Sequence, residues 1–393
     1  MATLLLLASV GLHGCATLPR DAVPMALADR SSPAGFTDIR IWGDAPLSDM
    51  STRLSGEAKS IRRLLDAKIR RGEPAEVDFL ALSGGAEDGA FGAGLLFGWT
   101  RANNRPEFEL VTGVSAGALI APFAFLGPTY DPLLHEMFTT LNRDNIATAT
   151  VLSGLLGGPA LMDSAPLKAL IDRYIDRGLM QGLARERARG RILLICTTNI
   201  DAQRPVYWDV GRIAQSNDTR ALELIRDILL ASASLPTIFP PVRIAVKAGG
   251  KNFEELHVDG GPTREVFFLP QDFHFAGLEE AVGMPFKRRL FVIRNGHLGA
   301  DYKVTEEASL ALAVRSISTL IKSQAQGDLF RIYASAIRES VDFNLAAIPE
   351  GTPPNTAGPF DKAYMASLFA IGEKAGSRGV RWLKQPPGWE RTQ

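Results

Sequence analysis

The sequence has few cysteines, no excess of charge of either sign and no long hydrophobic run. Two cysteines among 393 residues exclude a disulfide scaffold and a zinc site built from several cysteines. Lys and Arg number 43, as do Asp and Glu, so the charge balance gives no electrostatic reason to expect a nucleic-acid partner. Beyond the amino terminus no segment has the uninterrupted run of about 18 apolar residues that a membrane-spanning helix needs. We therefore expect a globular chain that does not cross a membrane.

What the sequence does contain is enough apolar material for a sizeable core. Apolar residues make up 46% of the chain and charged residues 22%, which is typical of folded proteins. The length allows two or three domains or one large α/β domain. No linker divides the chain after residue 76, so we predict one main domain over residues 77–348 and a carboxyl-terminal tail, 349–393, packed on it.

The amino terminus indicates a targeting segment. Residues 3–12 form an apolar run that is too short to span a bilayer and is typical of a signal-peptide core. It ends in Leu12, His13, Gly14 and Cys15, which resembles the lipobox of bacterial lipoproteins, where cleavage before the cysteine leaves it to carry the lipid. We expect residues 1–14 to be a signal peptide and acylated Cys15 to anchor the protein to a membrane of the bacterial cell envelope. The alternative is a terminal helix with an ordinary cysteine.

Residues 15–76 are predicted to be a tether followed by a helix. Ile61, Leu64, Leu65 and Ile69 recur at helical spacing among basic residues. Such a helix either packs its apolar stripe on the domain, which we favour, or contacts anionic lipid.

From residue 77 onward, apolar strands alternate with helices. This alternation predicts an α/β protein, a three-layer α/β/α domain with a mostly parallel central sheet. Buried strands are predicted at 77–83, 108–113, 191–200 and 289–296, and helices at 89–100, 115–126 and near 165–176, 218–233, 305–322 and 361–375.

A G-x-S-x-G motif over residues 113–117 is the first candidate for chemistry. It follows a predicted strand and opens a predicted helix, which is the setting of a nucleophile elbow. The turn lifts the Ser115 hydroxyl clear of the backbone, and the flanking glycines leave room for substrate. The alternative is a glycine-rich turn without chemistry.

Two further glycine motifs lie on either side of this elbow in the sequence. Residues 82–89 (LSGGAEDG) form a loop before a helix, and its N–H groups suit an anionic oxygen. The phosphate-binding pattern G-x-x-x-x-G-K-[ST] fails in this loop because Ala90 follows Gly89. Downstream, Asp259 precedes Gly260 and Gly261, which is either a projecting carboxylate or a simple Asp-Gly turn.

In this order, the three motifs resemble those of the patatin-like phospholipases. Residues 198–201 and 231–236 resemble further segments of that family, and the similarity covers roughly residues 77–265. The resemblance implies a patatin-like catalytic domain that hydrolyses acyl esters of phospholipids or related lipid esters. Ser115 would be the nucleophile and Asp259 its general base. Gly84, Gly85 and Ala86 would form the oxyanion hole, and no cofactor or metal would be needed.

The loop departs from the family's common G-G-G-x-R-G form. Ala86 stands at the third glycine and Asp88 at the arginine. Alanine keeps the backbone donor if the turn needs no positive φ, whereas a carboxylate near an oxyanion is unfavourable unless it points away or caps the next helix. The alternative function is therefore a non-catalytic lipid-binding envelope lipoprotein that keeps the fold.

Histidine is the usual base in serine hydrolases and has to be considered. His257, His274 and His297 are candidates, because the last two follow Asp259 in the order Ser, Asp, His and the first lies two residues before it. We favour a core or surface role for each of them. The apolar segment 149–162 is either a lid or a buried connection.

Overall fold

The computed structural model describes residues 20–45, 47–149, 160–269, 273–302 and 304–389 and is built around a nine-stranded sheet. The strands are β1 (Arg40–Trp42), β2 (Glu76–Leu82), β3 (Leu110–Gly113), β4 (Thr148–Ala149), β5 (Met162–Asp163), β6 (Ile192–Asn199), β7 (Arg204–Asp209), β8 (Val242–Ala248), β9 (Lys251–Asp259), β10 (Lys287–Arg294) and β11 (Asp342–Ala347). The short β4 and β5 form a separate pair.

Helices cover both faces of this sheet. They are α1 (Leu47–Arg70), α2 (Gly89–Arg101), α3 (Ala116–Leu126), α4 (Asp131–Thr139), α5 (Arg143–Ile146), α6 (Ala165–Tyr174), α7 (Arg177–Ala188), α8 (Val210–Gln215), α9 (Ala221–Ser232), α10 (Phe275–Val282), α11 (Ser309–Arg338) and α12 (Lys362–Ser377). Short 3₁₀ segments lie at Met25–Arg30, Ala86–Asp88 and Pro128–Tyr130.

The strand order is β1-β7-β6-β3-β2-β10-β11, with β9 pairing with β6 and β8. The five strands from β6 to β11 are parallel, whereas β1, β7, β8 and β9 are joined by antiparallel pairing. Alternate residues of β2 enter opposite cores: Leu80 and Leu82 pack with α2, α3 and α12, and Phe79 and Ala81 pack with α1, α10 and α11. The predicted three-layer α/β/α fold with a mostly parallel sheet is confirmed.

The predicted strands and helices correspond to observed elements, with two differences of extent. α11 continues to Arg338, well beyond the predicted end near residue 322, because its second half buries a further apolar stripe that includes Leu329 and Ile332. Residues 40–42 are more than the end of a tether, since they form edge strand β1 beside β7. Cys15, the predicted site of lipidation, and most of segment 149–162, which is either a lid or a buried connection, lie outside the described residues.

The amphipathic segment of α1 packs on the domain. Leu65 is fully buried, and Lys68 forms a buried ion pair with Glu109 at 2.6 Å. None of the helices within the described ranges is long and apolar enough to span a membrane.

Glycines bring α2 and α12 into backbone contact. A Cβ atom at Gly94 would lie 2.0 Å from the carbonyl oxygen of Phe369, and one at Gly98 would lie 2.1 Å from that of Glu373. In return, a Cβ at Gly372 would lie 2.2 Å from the carbonyl oxygen of Phe91. No side chain fits these positions, so α12 packs directly on the backbone of α2, the helix that follows the glycine-rich loop.

We expect Gly94→Ala to lower the free energy of unfolding by about 2 kcal/mol or more, because the added methyl group has to separate two helix backbones. The control is Gly277→Ala on α10, where a Cβ meets nothing within 4 Å and helix propensity favours alanine by up to about 1 kcal/mol. Urea unfolding monitored by circular dichroism measures both. Equal stability of the two variants would contradict the packing argument.

Candidate functional site

Ser115 occupies a sharp, strained turn between β3 and α3. Its backbone has φ 52° and ψ −124°, a conformation that L-residues rarely adopt. A Cβ at Gly113 would lie 2.6 Å from the carbonyl oxygen of Gly117, and one at Gly117 would lie 2.5 Å from that of Leu82. A side chain fits at neither glycine of the motif, because a backbone carbonyl oxygen lies close to each Cα. The turn has the geometry of a nucleophile elbow.

The short β3 leaves space for Asp259 beside this turn. β3 pairs with β6 only as far as Ile195, and β9 then pairs with β6 from Thr197 to Asn199. The register places Asp259 opposite Thr197, next to the point at which β3 turns away. The carboxylate is buried and accepts a hydrogen bond from the Gly261 N–H at 2.7 Å.

The Asp259 carboxylate also interacts with the Ser115 hydroxyl. Burial raises the pKa of Asp259 to about 6, and the hydrogen-bonding interactions with Ser115 and the Gly261 N–H oppose that rise. The structure thus brings together the two residues that the sequence singled out, and it keeps the carboxyl group more basic than an exposed aspartate.

The carboxyl end of α9 holds both residues in place. The Ser115 N–H donates to Oγ of Ser232 at 3.1 Å, and that hydroxyl donates to the carbonyl oxygen of Cys196 at 2.7 Å. The Asp259 N–H donates to the carbonyl oxygen of Ser234 at 2.9 Å. Ser232 and Ser234 therefore hold the backbone of Ser115 and of Asp259, respectively.

The loop after β2 contains the three residues that are predicted to form the oxyanion hole. In the described part of the chain, the N–H groups of Gly85 and Ala86 have no hydrogen-bond partner, and both residues line the cavity that contains Ser115. Gly84 differs from them, because its N–H donates to the carbonyl oxygen of Glu265 at 3.1 Å. The prediction for Gly84 is therefore corrected: its amide holds the loop rather than facing the site.

Positive φ angles shape this loop. Gly85 has φ 153°, and a Cβ there would lie 2.0 Å from the carbonyl oxygen of Asn295. Ala86 has φ 49°, so the turn does need a positive φ where alanine replaces the third glycine. Alanine tolerates this conformation at a cost of about 1 kcal/mol.

Buried Arg294 and Glu265 hold the loop from the other side. Nη1 of Arg294 donates to Oγ of Ser83, to the carbonyl oxygen of Gly84 and to Oε1 of Glu265, all at 2.8–2.9 Å. Burial raises the pKa of Glu265 to about 8; the Arg294 guanidinium opposes the rise and the nearby Asp259 adds to it. The pair thus links the loop, the end of β10 and the segment after Asp259.

Asp88, at the position of the family's arginine, contacts Tyr364 on α12. It makes no capping hydrogen bond to α2, and its Oδ1 accepts a hydrogen bond from the Tyr364 hydroxyl at 2.8 Å. Burial raises the pKa of Asp88 to about 6, against the lowering effect of that bond. The carboxyl group remains on the wall of the cavity but is tied to α12.

Ser115 and Asp259 lie on the wall of a cavity of about 930 Å³. Beyond them the lining is mostly apolar and comes from α3, α4, α6 and the segment after α9, with Leu119, Phe123, Phe138, Leu167, Ile171, Leu235 and Phe239. The lining also includes the polar side chains of Arg294, His297, Arg315 and Lys322. The cavity wall is therefore largely apolar, with Ser115 and a few basic side chains in it.

The three candidate histidines occupy different places. His257 is fully buried, with Nδ1 2.9 Å from Oγ1 of Thr197 and Nε2 2.9 Å from Oε2 of Glu255, and burial lowers its pKa. His274 forms an exposed pair with Glu339. Only His297 lines the cavity, so it is the one histidine of the three that needs an experimental control.

Several residues of the site carry no sequence signal that would have assigned them. Glu265, Arg294 and Tyr364 are brought in by long-range packing, and Ala116 lines the cavity at the start of α3, where helix N–H groups lack partners within the helix. Across the described residues, no group of three or more His, Cys, Asp or Glu side chains could hold a metal ion.

Part of the chain is similar to a known family. Residues 80–269 match the family model described as patatin-like phospholipase. The chain contains a patatin-like phospholipase domain. Among solved structures, it is similar to VipD from Legionella pneumophila, with 11% sequence identity, a TM-score of 0.33 and coverage of 78% of this chain and 67% of that chain. No curated protein matches the chain significantly.

The patatin-like domain includes Ser115, Asp259 and the loop at Gly84–Ala86, but the matched region ends before β10. Arg294, Tyr364 and the cavity residues of α11 therefore lie outside it. The chain after the matched region contributes the guanidinium that holds the loop and part of the cavity wall.

We expect Asp259→Asn to stabilise the patatin-like domain at pH 8 and to have little effect at pH 4. A carboxyl group with a raised pKa in the folded state loses stability as the pH rises from its ordinary pKa through about 6. Asparagine removes that loss, which is about 2–3 kcal/mol. Urea unfolding across this pH range measures it, with Asp144→Asn on the exposed α5 as the control. A pH-independent difference between wild type and Asp259→Asn would contradict the assignment.

Proposed function

We propose that the protein is a serine acyl hydrolase that cleaves ester-linked acyl chains of phospholipids or related lipid esters through a Ser115–Asp259 dyad. The observation that carries the proposal is the pairing of a serine in a strained elbow with a buried carboxylate at the wall of a largely apolar cavity. The patatin-like phospholipase match supports the same class of substrate.

In the first half of the reaction, the Ser115 oxygen attacks the ester carbonyl carbon while Asp259 accepts the hydroxyl proton. The carbonyl oxygen becomes an oxyanion that the Gly85 and Ala86 N–H groups stabilise. When the tetrahedral intermediate collapses, the ester C–O bond breaks and Asp259 returns the proton to the departing alcohol. The acyl chain is left on Ser115.

In the second half, water attacks the acyl-enzyme and Asp259 accepts a proton from it. Collapse releases the fatty acid and restores the Ser115 hydroxyl. A pKa of about 6 keeps Asp259 ionised at neutral pH while making it more basic than an exposed aspartate, as a general base requires. Neither half needs a histidine.

The cavity supports a lipid substrate. Its apolar lining offers hydrocarbon side chains to an acyl chain, so that transfer of the chain from water is favourable. The basic side chains in the same wall, Arg294, Arg315 and Lys322, offer donors to the remainder of the ester. A volume of about 930 Å³ is at the upper end of the usual range for ligand pockets.

The second candidate is a lipid-binding protein without catalysis, and Asp88 is the observation that favours it. A carboxylate on the wall of the cavity opposes a developing oxyanion when it is ionised. The hydrogen bond from the Tyr364 hydroxyl disperses part of that negative charge and ties the carboxylate to α12, which reduces the opposition. We therefore favour the enzyme.

We expect Ser115→Ala and Asp259→Ala each to lower kcat/KM for a soluble short-chain ester by about a thousandfold or more, since each removes a group that the dyad cannot replace. His297→Ala should retain activity within about tenfold. A fluorophosphonate probe should label the wild type but not Ser115→Ala, because only an activated serine reacts.

Two results would overturn the dyad or the enzyme. A loss in His297→Ala as large as that in Ser115→Ala would replace Asp259 by a histidine as the base. A folded wild type that neither hydrolyses esters nor reacts with the probe, yet binds lipid, would establish the non-catalytic alternative.

The loop offers a matched pair of one-methyl changes. Gly85→Ala should lower kcat by about a hundredfold with little change in KM, because the methyl group displaces a donor that acts on the transition state. Ala86→Gly removes a methyl group at a positive φ and should keep kcat within a few-fold. Steady-state kinetics on a soluble ester separate the two, and wild-type kcat in Gly85→Ala would exclude this loop as the oxyanion site.

A further inference from the structure

Two acidic residues lie in the same short turn as the proposed oxyanion donors. Glu87 and Asp88 complete the 3₁₀ segment that begins at Ala86, and the Asp88 N–H donates to the carbonyl oxygen of Gly85 at 2.9 Å. Both acidic residues line the cavity that contains Ser115. Carboxylates are therefore built into the turn that is proposed to bind an oxyanion, and the direction in which they point matters for the reaction.

The carboxyl-terminal part of the chain provides a hydrogen-bond donor for each of these carboxylates. The Tyr364 hydroxyl donates to Oδ1 of Asp88 at 2.8 Å, and Nδ2 of Asn355 donates to Oε1 of Glu87 at 3.1 Å. Within the described residues, the Asp88 carboxylate has no donor other than Tyr364. Both donors lie beyond the region that matches the patatin-like family model, so this arrangement belongs to the chain outside that region.

Tyr364 is held in place by the first turn of α12. Its N–H donates to Oδ1 of Asp361, the residue that caps this helix, at 2.8 Å, and α12 packs directly on the backbone of α2. Burial and the nearby Asp88 carboxylate raise the pKa of the Tyr364 hydroxyl, so the hydroxyl stays protonated and remains a donor at neutral and mildly alkaline pH. The position of the donor is therefore set by α12, and the Asp88 carboxylate follows it.

The charge of Asp88 changes with pH in the range in which the dyad works. Burial raises the pKa of Asp88 to about 6; Glu87 and Asp301 add to that rise, whereas the Tyr364 hydroxyl and the Arg294 guanidinium oppose it. Above this pH the wall of a largely apolar cavity contains an ionised carboxylate close to the loop. In such a setting a like charge strongly disfavours an oxyanion, because few water molecules screen the repulsion.

We propose that Tyr364 is a positioning residue for ester hydrolysis, whose hydroxyl holds the Asp88 carboxylate toward α12 and away from the oxyanion that Gly85 and Ala86 bind. The inference rests on the proposed function, since the oxyanion is an intermediate of that reaction. Tyr364 is not among the described residues that line the cavity, so it acts through Asp88 and not on the substrate. Without the hydroxyl, an ionised Asp88 side chain has no donor that keeps it from rotating into the cavity.

The first test compares Tyr364→Phe with the wild type, both as the full chain, on a soluble short-chain ester between pH 5 and pH 9. At pH 5 Asp88 is mostly protonated in both proteins, so kcat should agree within about twofold. At pH 9 kcat of Tyr364→Phe should fall to about one tenth of the wild-type value with little change in KM, because the repulsion acts on the charged intermediate and not on the neutral ester. A ratio of the two kcat values that does not change with pH would overturn the proposal.

The second test separates the charge of Asp88 from the packing of α12. Asp88→Asn removes the charge and changes the size of the side chain very little. If the charge causes the loss, adding Asp88→Asn to Tyr364→Phe should restore kcat at pH 9 to within about twofold of Asp88→Asn alone. A double variant as slow as Tyr364→Phe would show that the hydroxyl acts through the packing of α12, and the proposal would then be wrong.

Tyr174→Phe is the matched control. The Tyr174 hydroxyl donates to Oε1 of Glu136 on α4 at 2.8 Å, so this substitution also removes one hydrogen bond between a tyrosine and a carboxylate. Its kcat relative to the wild type should be the same at pH 5 and pH 9, and Asp88→Asn should not change that ratio. A loss in Tyr174→Phe that grows with pH as it does in Tyr364→Phe would contradict a specific role for Tyr364.

Failure of the proposed function would give a different pattern. The wild type, Ser115→Ala and the variants at Tyr364 and Asp88 would then share one background rate, which would overturn both the enzyme and the role of Tyr364. Hydrolysis that depends on Ser115, together with a kcat ratio for Tyr364→Phe that is constant with pH, would remove only the role of Tyr364. Activity in Asp88→Asn but not in the wild type would show that the hydrogen bond fails to offset the charge, and would overturn both.

Discussion

The strained turn at Ser115 is the constraint on which the site depends. A serine with φ 52° at the end of a central strand persists only if neighbouring elements fix it. The absence of side chains at Gly113 and Gly117 lets the carbonyl oxygens of the turn and of β2 approach within distances that exclude a Cβ. Oγ of Ser232 on α9 then accepts a hydrogen bond from the Ser115 N–H. Ser115 is thus positioned by backbone packing, and because α3 begins at the next residue, the positive end of the helix dipole lies beside Ser115.

The same turn determines where the carboxylate can stand. Because β3 stops at Gly113, the edge of β6 beyond Ile195 is free, and β9 pairs there in the antiparallel direction. A longer β3 would occupy that edge and leave Asp259 no strand to pair with. The position of Asp259 beside Ser115 is therefore a consequence of strand length as much as of residue identity. Burial of Asp259 follows from the same arrangement, and burial is the main cause of its raised pKa.

The sequence predicts the parts of this structure that are encoded locally. Glycines at 113 and 117, the apolar strands and the Asp259-Gly260 step all have meaning within a few residues, and the fold class follows from such local patterns. The pairing of Ser115 with Asp259 is what the resemblance to the patatin-like phospholipases implies. Contacts between distant segments have no such signal. The carbonyl oxygen of Glu265 takes the Gly84 N–H, and Arg294 reaches three groups around the loop. The prediction for Gly84 therefore failed, and nothing in the sequence indicated that Glu265 and Arg294 hold the loop.

These distant contacts explain how the loop is held although Asp88 stands where the family's common form has arginine. An arginine at position 88 would bring positive charge into the loop from within; here Arg294 approaches from β10 and binds the Gly84 carbonyl oxygen. That contact, together with Glu265, holds the loop, and within the described residues the N–H groups of Gly85 and Ala86 have no hydrogen-bond partner. The Asp88 side chain points to α12, where its Oδ1 accepts a hydrogen bond from the Tyr364 hydroxyl. α12, which carries Tyr364, is itself locked to α2 by paired glycines, so the carboxyl-terminal segment determines where the unfavourable carboxylate points.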